Sequence, residues 1–408
     1  MSKEHLKFVV VGSVDHGKST LIGRFLYDTG SLSEAQMDTI RKLCGDNDEA
    51  VEFAYVLDHL EEERTKHVTI DTTQTFFSSE SRDYVIIDAP GHKEFLKNMI
   101  TGASQASAAL LLLDVDEGVR QQTRRHAYMV RLLGIKQLVV VLNKMDRVDF
   151  RQDAFDRAAA DMTELLGRVT LDQLAVIPVA ALAGENVVRR SEEMPWYDGP
   201  TVIEALDLLH ADVADESLPL RLPVQDVYEI DGEKVAVGKV ASGKISAGQT
   251  VRLAPGGQEV KVAGLRKFEG PIASASAGES IGFTVSGNGR LTRGQTLCSA
   301  DDVPAQDTSV TAHVFWMSPQ SLRKGERIAL RLATQEIPCV AERIANRMNA
   351  GTLAILDADA DELANTEVAE VTLTADEPIQ HESFTRIAEM GRLVLMRGPD
   401  IVAGGILT

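Results

Sequence analysis

The chain is poor in cysteine, aromatic residues and positive charge, and it has no long apolar run. Its three cysteines, Cys44, Cys298 and Cys339, lie far apart and form no CxxC pair. That usage argues against a disulfide framework or a zinc site and fits a reducing cytoplasm. Ala108–Leu113 is typical of the apolar runs, far below the ~20 residues that cross a bilayer. Met1–Lys7 is charged and Phe8–Val11 is too short for a signal-peptide core, so no membrane anchor is expected. Lys plus Arg number 42 against 61 Asp plus Glu, a net charge of −19. Such a surface repels a phosphate backbone in the mean, which argues against DNA as a partner but leaves room for a local basic patch on one RNA. The nine histidines show no HExxH spacing, and no GxSxG occurs.

What is present describes a folded, multidomain protein. Apolar residues make up 44% of the 408 and charged residues 25%, a globular composition. The first half alternates short apolar runs with amphipathic segments such as Gln121–Leu133 and Asp153–Leu166. The runs Phe8–Val11, Tyr84–Ile87, Ala108–Leu113, Gln137–Leu142 and Ala175–Val179 read as strands buried on both faces, the pattern of a parallel sheet covered by helices. Val68–Phe77 alternates and is rich in β-branched residues, so it reads as an edge or antiparallel strand. From about Leu218 the chain turns to short alternating runs broken by Asp231-Gly232, Pro255-Gly256-Gly257 and Gly287-Asn288-Gly289, the pattern of a small β-barrel. A second β block begins near Asp307. The expected fold is an N-terminal α/β domain over residues 1–213, which the motifs below make a P-loop GTPase domain, then two β-barrel domains over 214–305 and 306–408. Asp357, Asp359, Asp361 and Glu362 read as a solvated polar loop, and Trp196-Tyr197 and Trp316-Met317 as packing residues.

Gly12-Ser13-Val14-Asp15-His16-Gly17-Lys18-Ser19 fits GxxxxGK[ST] between a strand and a helical segment that opens at Thr20. Glycines there let backbone N–H groups turn toward phosphate oxygens at a helix N-terminus. Residues Asp15 to Thr20 are expected to line the phosphates. Lys18 would reach the terminal phosphates, and Ser19 would ligate Mg²⁺. Asp15 is a candidate for a monovalent cation, with a solvated loop acid as the rival reading. Gly238-Lys239 and Gly243-Lys244 lack this context and read as barrel turns. Asp88-Ala89-Pro90-Gly91-His92 follows a buried strand. Asp88 could hold Mg²⁺ through water, the Gly91 N–H could bond a γ-phosphate, and His92 could orient an attacking water. Val14 and Val68 could restrict His92, with core packing a close rival. Thr69 could give Mg²⁺ a second hydroxyl from a segment ordered by the γ-phosphate. Asn143-Lys144-Met145-Asp146 follows the next buried strand. Asp146, read as partly buried, would accept from N1–H and the exocyclic amine of guanine, a donor pair that adenine lacks. The Lys144 stem could lie over the base, and Asn143 could tie neighbouring loops together. The expected ligands are GTP or GDP with Mg²⁺.

With these motifs the chain resembles the translation-factor class of GTPases over essentially its whole length. Within that class it resembles the GTPase subunit of ATP sulfurylase, on GSVDHGKSTLIGRFL, NMITGAS, QTRRH, LGIK, MPWYDGPTVIEAL and VFWM. It also resembles elongation factors Tu and 1-alpha, which share NMITGA and the MPWY pattern. The first is the closer resemblance, because QTRRH and VFWM separate the two families, and it implies a catalytic ATP-sulfurylase subunit as partner, with GTP hydrolysis coupled to adenylyl sulfate formation. The second implies GTP-dependent delivery of aminoacyl-tRNA to the ribosome. A regulatory GTPase with another protein partner is a third possibility. Three positions depart from these patterns: His16 where sulfurylase subunits are usually acidic, His67 where a glycine is usual, and Ala180-Ala181-Leu182 in place of the guanine-contacting Ser-Ala-Leu. The Ala181 N–H can still reach guanine O6, so the resemblance keeps all three residues in the site.

Overall fold

The computed structural model describes residues 5–34, 37–38, 73–88, 106–210, 216–230, 232–286 and 291–408, without the side chains of Val14, Thr73 and Asp88. The chain divides into two compact units, residues 1–212 with 350–353 and residues 213–349 with 354–408.

In the first unit, β1 (His5–Gly12), β2 (Thr73–Ser78), β3 (Asp83–Asp88), β4 (Ala108–Asp114), β5 (Gln137–Asn143) and β6 (Ala175–Pro178) form one sheet in the order β2-β3-β1-β4-β5-β6. From β3 to β6 the neighbours are parallel, and β2 is an antiparallel edge strand. Every residue of β4 is buried, as the unbroken Ala/Leu run Ala108–Leu113 requires of a central parallel strand. The crossovers carry α1 (Lys18–Asp28), α2 (Gln121–Leu132) and α3 (Gln152–Arg168), and α4 (Val202–Leu208) follows β6. Helix α3 buries Ala154, Ala158, Met162, Leu165 and Leu166 at three- and four-residue spacing, the amphipathic stripe that packs a helix on a sheet. Thr201 and Glu204 start α4 with a reciprocal capping box: Glu204 N–H donates to Thr201 Oγ1 and Thr201 N–H to Glu204 Oε2. At the β2 side of the sheet, Phe8, Phe25, Phe77 and Tyr84 stack edge-on and face-on.

The second unit is built from β-strands, with a single helical turn at Ala388–Gly391. Its first block runs Arg221–Pro223, Thr296–Ser299, Thr250–Ala254, Gln258–Lys267, Ser280–Ser286, Glu233–Lys239, Asp226–Ile230 in spatial order. A backbone bridge from Arg221 to Ser242 curls the sheet back on itself. The second block is a closed ring of Arg327–Leu332, Arg392–Arg397, Asp400–Leu407, Ala305–Trp316, Glu367–His381 and Gln335–Asn349, the last pairing again with the first. Its interior is filled by residues such as Trp316, Val314, Leu330, Leu373 and Leu395, all fully buried. The fully buried Arg221 joins the two blocks, donating from Nε to Glu382 at 2.8 Å and from Nη2 to Asp302 at 2.6 Å. Arg386 closes the square onto the same two carboxylates. Removing one member would strand a charge of opposite sign.

Several readings change here. Asp357 and Asp359 do not lie in a loop but on a strand, Ala354–Ala360, that pairs with Gln335–Asn349. The acid-rich, Ala-containing segment has weak β-propensity, and its pairing partner supplies what the local sequence does not. Gly238-Lys239 lies inside the strand Glu233–Lys239, not at a turn. Gly238 packs against the Pro223 carbonyl, where a Cβ would fall 2.3 Å away. A small residue at that close approach explains why the strand resembled a turn in sequence.

Candidate nucleotide site

The site forms where the parallel strands end. Strand β1 runs into the loop Ser13–Gly17, and α1 begins at Lys18. The first helical hydrogen bond from this turn is Leu21 N–H to the Gly17 carbonyl, so α1 opens here with the N-terminal end of a helix, the end whose N–H groups suit an anion. Gly17 sits at φ 88°, and a Cβ there would lie 2.5 Å from Asn143 Nδ2. Only glycine fits both that dihedral and that approach. The Lys18 ammonium is held over the loop by the carbonyls of Gly12 and Ser13, at 2.7 and 2.8 Å. Ser19 and Thr20 are half-buried in the first turn of α1, whereas Asp15 is exposed. His16 is buried, its Nδ1 3.1 Å from the Leu112 carbonyl and its Nε2 3.6 Å from Glu117.

The other two loops meet this one through a single side chain. Asn143, at the end of β5, is buried. Its Nδ2 donates to the His16 carbonyl at 2.9 Å, and its Oδ1 accepts the Ala181 N–H at 2.9 Å. Asn143 therefore ties the phosphate loop to the Ala180–Leu182 loop. Ala180 and Ala181 are buried and Leu182 is exposed. Lys144 adopts φ 65°, and the Met145 N–H donates to the Val179 carbonyl, which turns the Lys144–Asp146 segment back toward β6. Asp146 is exposed, not partly buried as its sequence context had suggested. It sits on the short helical turn Met145–Val148 that lifts away from the sheet end.

Two buried groups escaped the sequence reading. Asp114 closes β4 in register with Asn143. It is fully buried, 2.8 Å from Lys144 Nζ and 3.6 Å from Arg147. Burial works against its ionisation, but the Lys144 ammonium and the N–H groups of Asp116 and Glu117 outweigh it and hold the carboxyl below its ordinary range. A polar residue ending a buried strand at the ligand end of an α/β sheet was the available signal. The second group is His126 on α2. Burial first, and then the positive charges of Lys18, His16 and Arg125, push its pKa down to about 3, so it stays neutral near the phosphate loop.

The arrangement fits a magnesium-bound nucleotide on its own geometry. A glycine cradle that a Cβ would fill, an ammonium above it and a hydroxyl in the first helical turn are the donor set for phosphate and a hard cation. His92, Gly91, Thr69 and Val68 lie outside the described residues, as do the side chains of Asp88 and Val14. Among the described residues no cluster of His, Cys, Asp and Glu could hold a metal by itself. Likewise no helix among them is long and apolar enough to cross a membrane.

Comparison with known proteins settles the lineage. Residues 3–215 match the elongation factor Tu GTP binding domain. Residues 233–298 match elongation factor Tu domain 2, and 309–408 the GTP-eEF1A C-terminal domain-like family. Elongation factor 1-alpha of Methanopyrus kandleri is 37% identical over 423 residues, covering 99% of this chain and 97% of its own. The chain belongs to the elongation factor 1-alpha family. Archaeoglobus fulgidus and Pyrococcus furiosus elongation factor 1-alpha are 38% and 36% identical, each with 98% of its length covered. Membership makes this chain a GTPase that takes GTP or GDP with Mg²⁺, on a P-loop domain followed by two β-barrels.

The sulfurylase expectation is thereby overturned, both as family and as function, and with it the catalytic sulfurylase subunit as partner. Much of what had favoured it is core. In QTRRH, Thr123 and His126 are buried, and in VFWM all four residues are buried. Buried positions report first how a core is filled, which makes them a weak guide to the partner.

Proposed function

We propose that this protein is a GTP-dependent carrier of aminoacyl-tRNA to the ribosome. The observation that carries the reading is Asn143, which joins the phosphate loop to the Ala180–Leu182 loop at the ligand end of the sheet, in a chain similar over its whole length to proteins named elongation factor 1-alpha. We assign the nucleotide contacts as follows. The N–H groups around Gly17 and the Lys18 ammonium hold the phosphates. Ser19 supplies a magnesium ligand from the helix turn, and Thr69 and Asp88 supply the others by motif. Asp146 reads the guanine edge and the Lys144 stem covers the base; the Ala181 N–H, expected from sequence to meet O6, is instead donated to Asn143 Oδ1, so O6 is assigned to the backbone of the Ala180–Leu182 loop that this bond holds. Magnesium, when bound, neutralises charge on the phosphate oxygens during hydrolysis. His92 orients the attacking water, and Gly91 offers its N–H to the terminal phosphate. Asp15, exposed on its loop, fits a solvated acid better than a cation ligand.

The test is retention of a charged tRNA by the full chain on a filter, with a non-hydrolysable GTP analogue or with GDP. The reading expects retention with the analogue, release with GDP, and a steep fall in affinity with salt. Equal retention in both nucleotides, or none in either, removes tRNA as the partner.

A further inference from the structure

The loop expected to face guanine O6 lacks the hydroxyl that serine supplies in related GTPases, because position 180 is alanine. Asn143 holds this loop from the inside at Ala181. A second side chain meets it from the other side. Arg24, on the outward turn of α1, points its Nη1 at the Leu182 carbonyl, 3.5 Å away. Its guanidinium lies flat against Gly184, where a Cβ would come within 2.6 Å of Cζ and Nη2. Gly184 also sits at φ 82°, so the position suits glycine on two counts. The guanidinium is aimed by Asp28, one helical turn further on, through a 2.8 Å bond from Nε. Tyr27 lies beneath it at 5.6 Å. Arg24 is only about one-fifth exposed and Asp28 less, so the pair is fixed by packing and not by a passing surface contact. The same helix thus carries the phosphate-facing Lys18 and Ser19 at its start and Arg24 two turns later.

We infer that Arg24, oriented by Asp28, is a positioning residue for guanine recognition: with Asn143 holding the Ala181 N–H from the inside, it braces the Ala180–Gly184 loop from the outside so that the loop backbone is presented to guanine O6. The inference rests on the guanine assignment made above. A planar guanidinium suits the task because it can press a face on the Gly184 backbone while an edge N–H reaches a carbonyl. An ammonium would offer a point charge and no flat face. The brace touches neither phosphates nor magnesium, so its loss should spare phosphate binding.

The experiment compares Mg²⁺-GDP with Mg²⁺-ADP and with the diphosphate of 6-thioguanosine, which keeps N1–H and the 2-amino group but replaces O6 with a poorer acceptor. Titrations use the full chain as wild type, Arg24→Ala, Asp28→Asn and Gly184→Ala. Wild type preferring GDP over ADP is the control on the underlying reading, and no preference there overturns that reading independently of Arg24. Given the preference, Arg24→Ala is expected to lower GDP affinity about tenfold, one hydrogen bond's worth. The 6-thio analogue should weaken less, so that the preference for O6 narrows while the melting temperature stays near wild type. Asp28→Asn and Gly184→Ala, which disturb the guanidinium without deleting it, should shift the same ratio in the same direction. Equal weakening of both guanine nucleotides, or no change in either, overturns the brace. Asp28→Asn retains a near-isosteric side chain, so it decides the matter even if Arg24→Ala fails to fold.

Discussion

The Lys144 ammonium lies 2.8 Å from the carboxylate of Asp114, a residue with no solvent exposure at the end of the neighbouring strand. The pair pins the start of the turn that carries Asp146, so the base-reading segment is anchored to the sheet by charge as well as by the Met145 backbone bond. Because Asp114 titrates below the ordinary carboxylate range, its contribution has a definite pH sense. The stabilisation is complete above the unfolded-state value near 3.9 and is lost as pH falls through the lower folded-state value. Asp114→Asn should cost about 3 kcal/mol near neutrality, as expected when one partner of a buried pair is removed. Denaturant melts of wild type and variant should converge as the solution is acidified; a gap that widens in acid contradicts the assignment.

Asn143→Ala removes a donor and an acceptor at once. The His16 carbonyl and the Ala181 N–H lose their partner in a buried setting, at about 1–3 kcal/mol each. Both losses fall on loops assigned to the nucleotide, so the release rate of a fluorescent GDP derivative should rise by at least tenfold. Release at the wild-type rate would separate Asn143 from the site.

Gly17→Ala places a Cβ in a left-handed position and against the Asn143 amide. Nucleotide binding should be lost while far-ultraviolet circular dichroism is retained, because the strain is confined to one loop. Retention of nanomolar or micromolar binding equal to wild type would show that the cradle can relax.

The phosphate loop, the guanine-type motif and the parallel sheet were legible because each rests on local rules. Gly17 needs its dihedral, Lys18 its glycine neighbours, and β4 its unbroken apolar run. Asp114, Arg24 and His126 were not legible, because each acts through a contact across the sheet or between helix and loop that no spacing encodes. The strand Ala354–Ala360 is hidden for a related reason: its last four residues, Asp357–Ala360, alternate Asp and Ala, and its partner strand holds it extended. Val314–Met317 looks like a family mark in sequence, but its residues are core and do not separate the two families.

The square of Arg221, Glu382, Asp302 and Arg386 supplies a prediction about the β unit alone. Arg221→Ala leaves Glu382, which is nearly unexposed, without its main counter-ion within the core. It should destabilise the second unit by about 3–5 kcal/mol. Calorimetry should show a lowered transition for that unit, with GDP affinity unchanged. An unaltered melting profile would mean that the charges find water instead.

The most direct measurement is isothermal titration of the full chain with Mg²⁺-GDP and with Mg²⁺-ADP under identical conditions. Tight uptake of the guanine nucleotide, with the adenine nucleotide weaker by two orders of magnitude or more, is the predicted result, since about 1–3 kcal/mol is at stake for each group left unpaired by the wrong base. Comparable affinity for the two would contradict the site and the carrier function built on it.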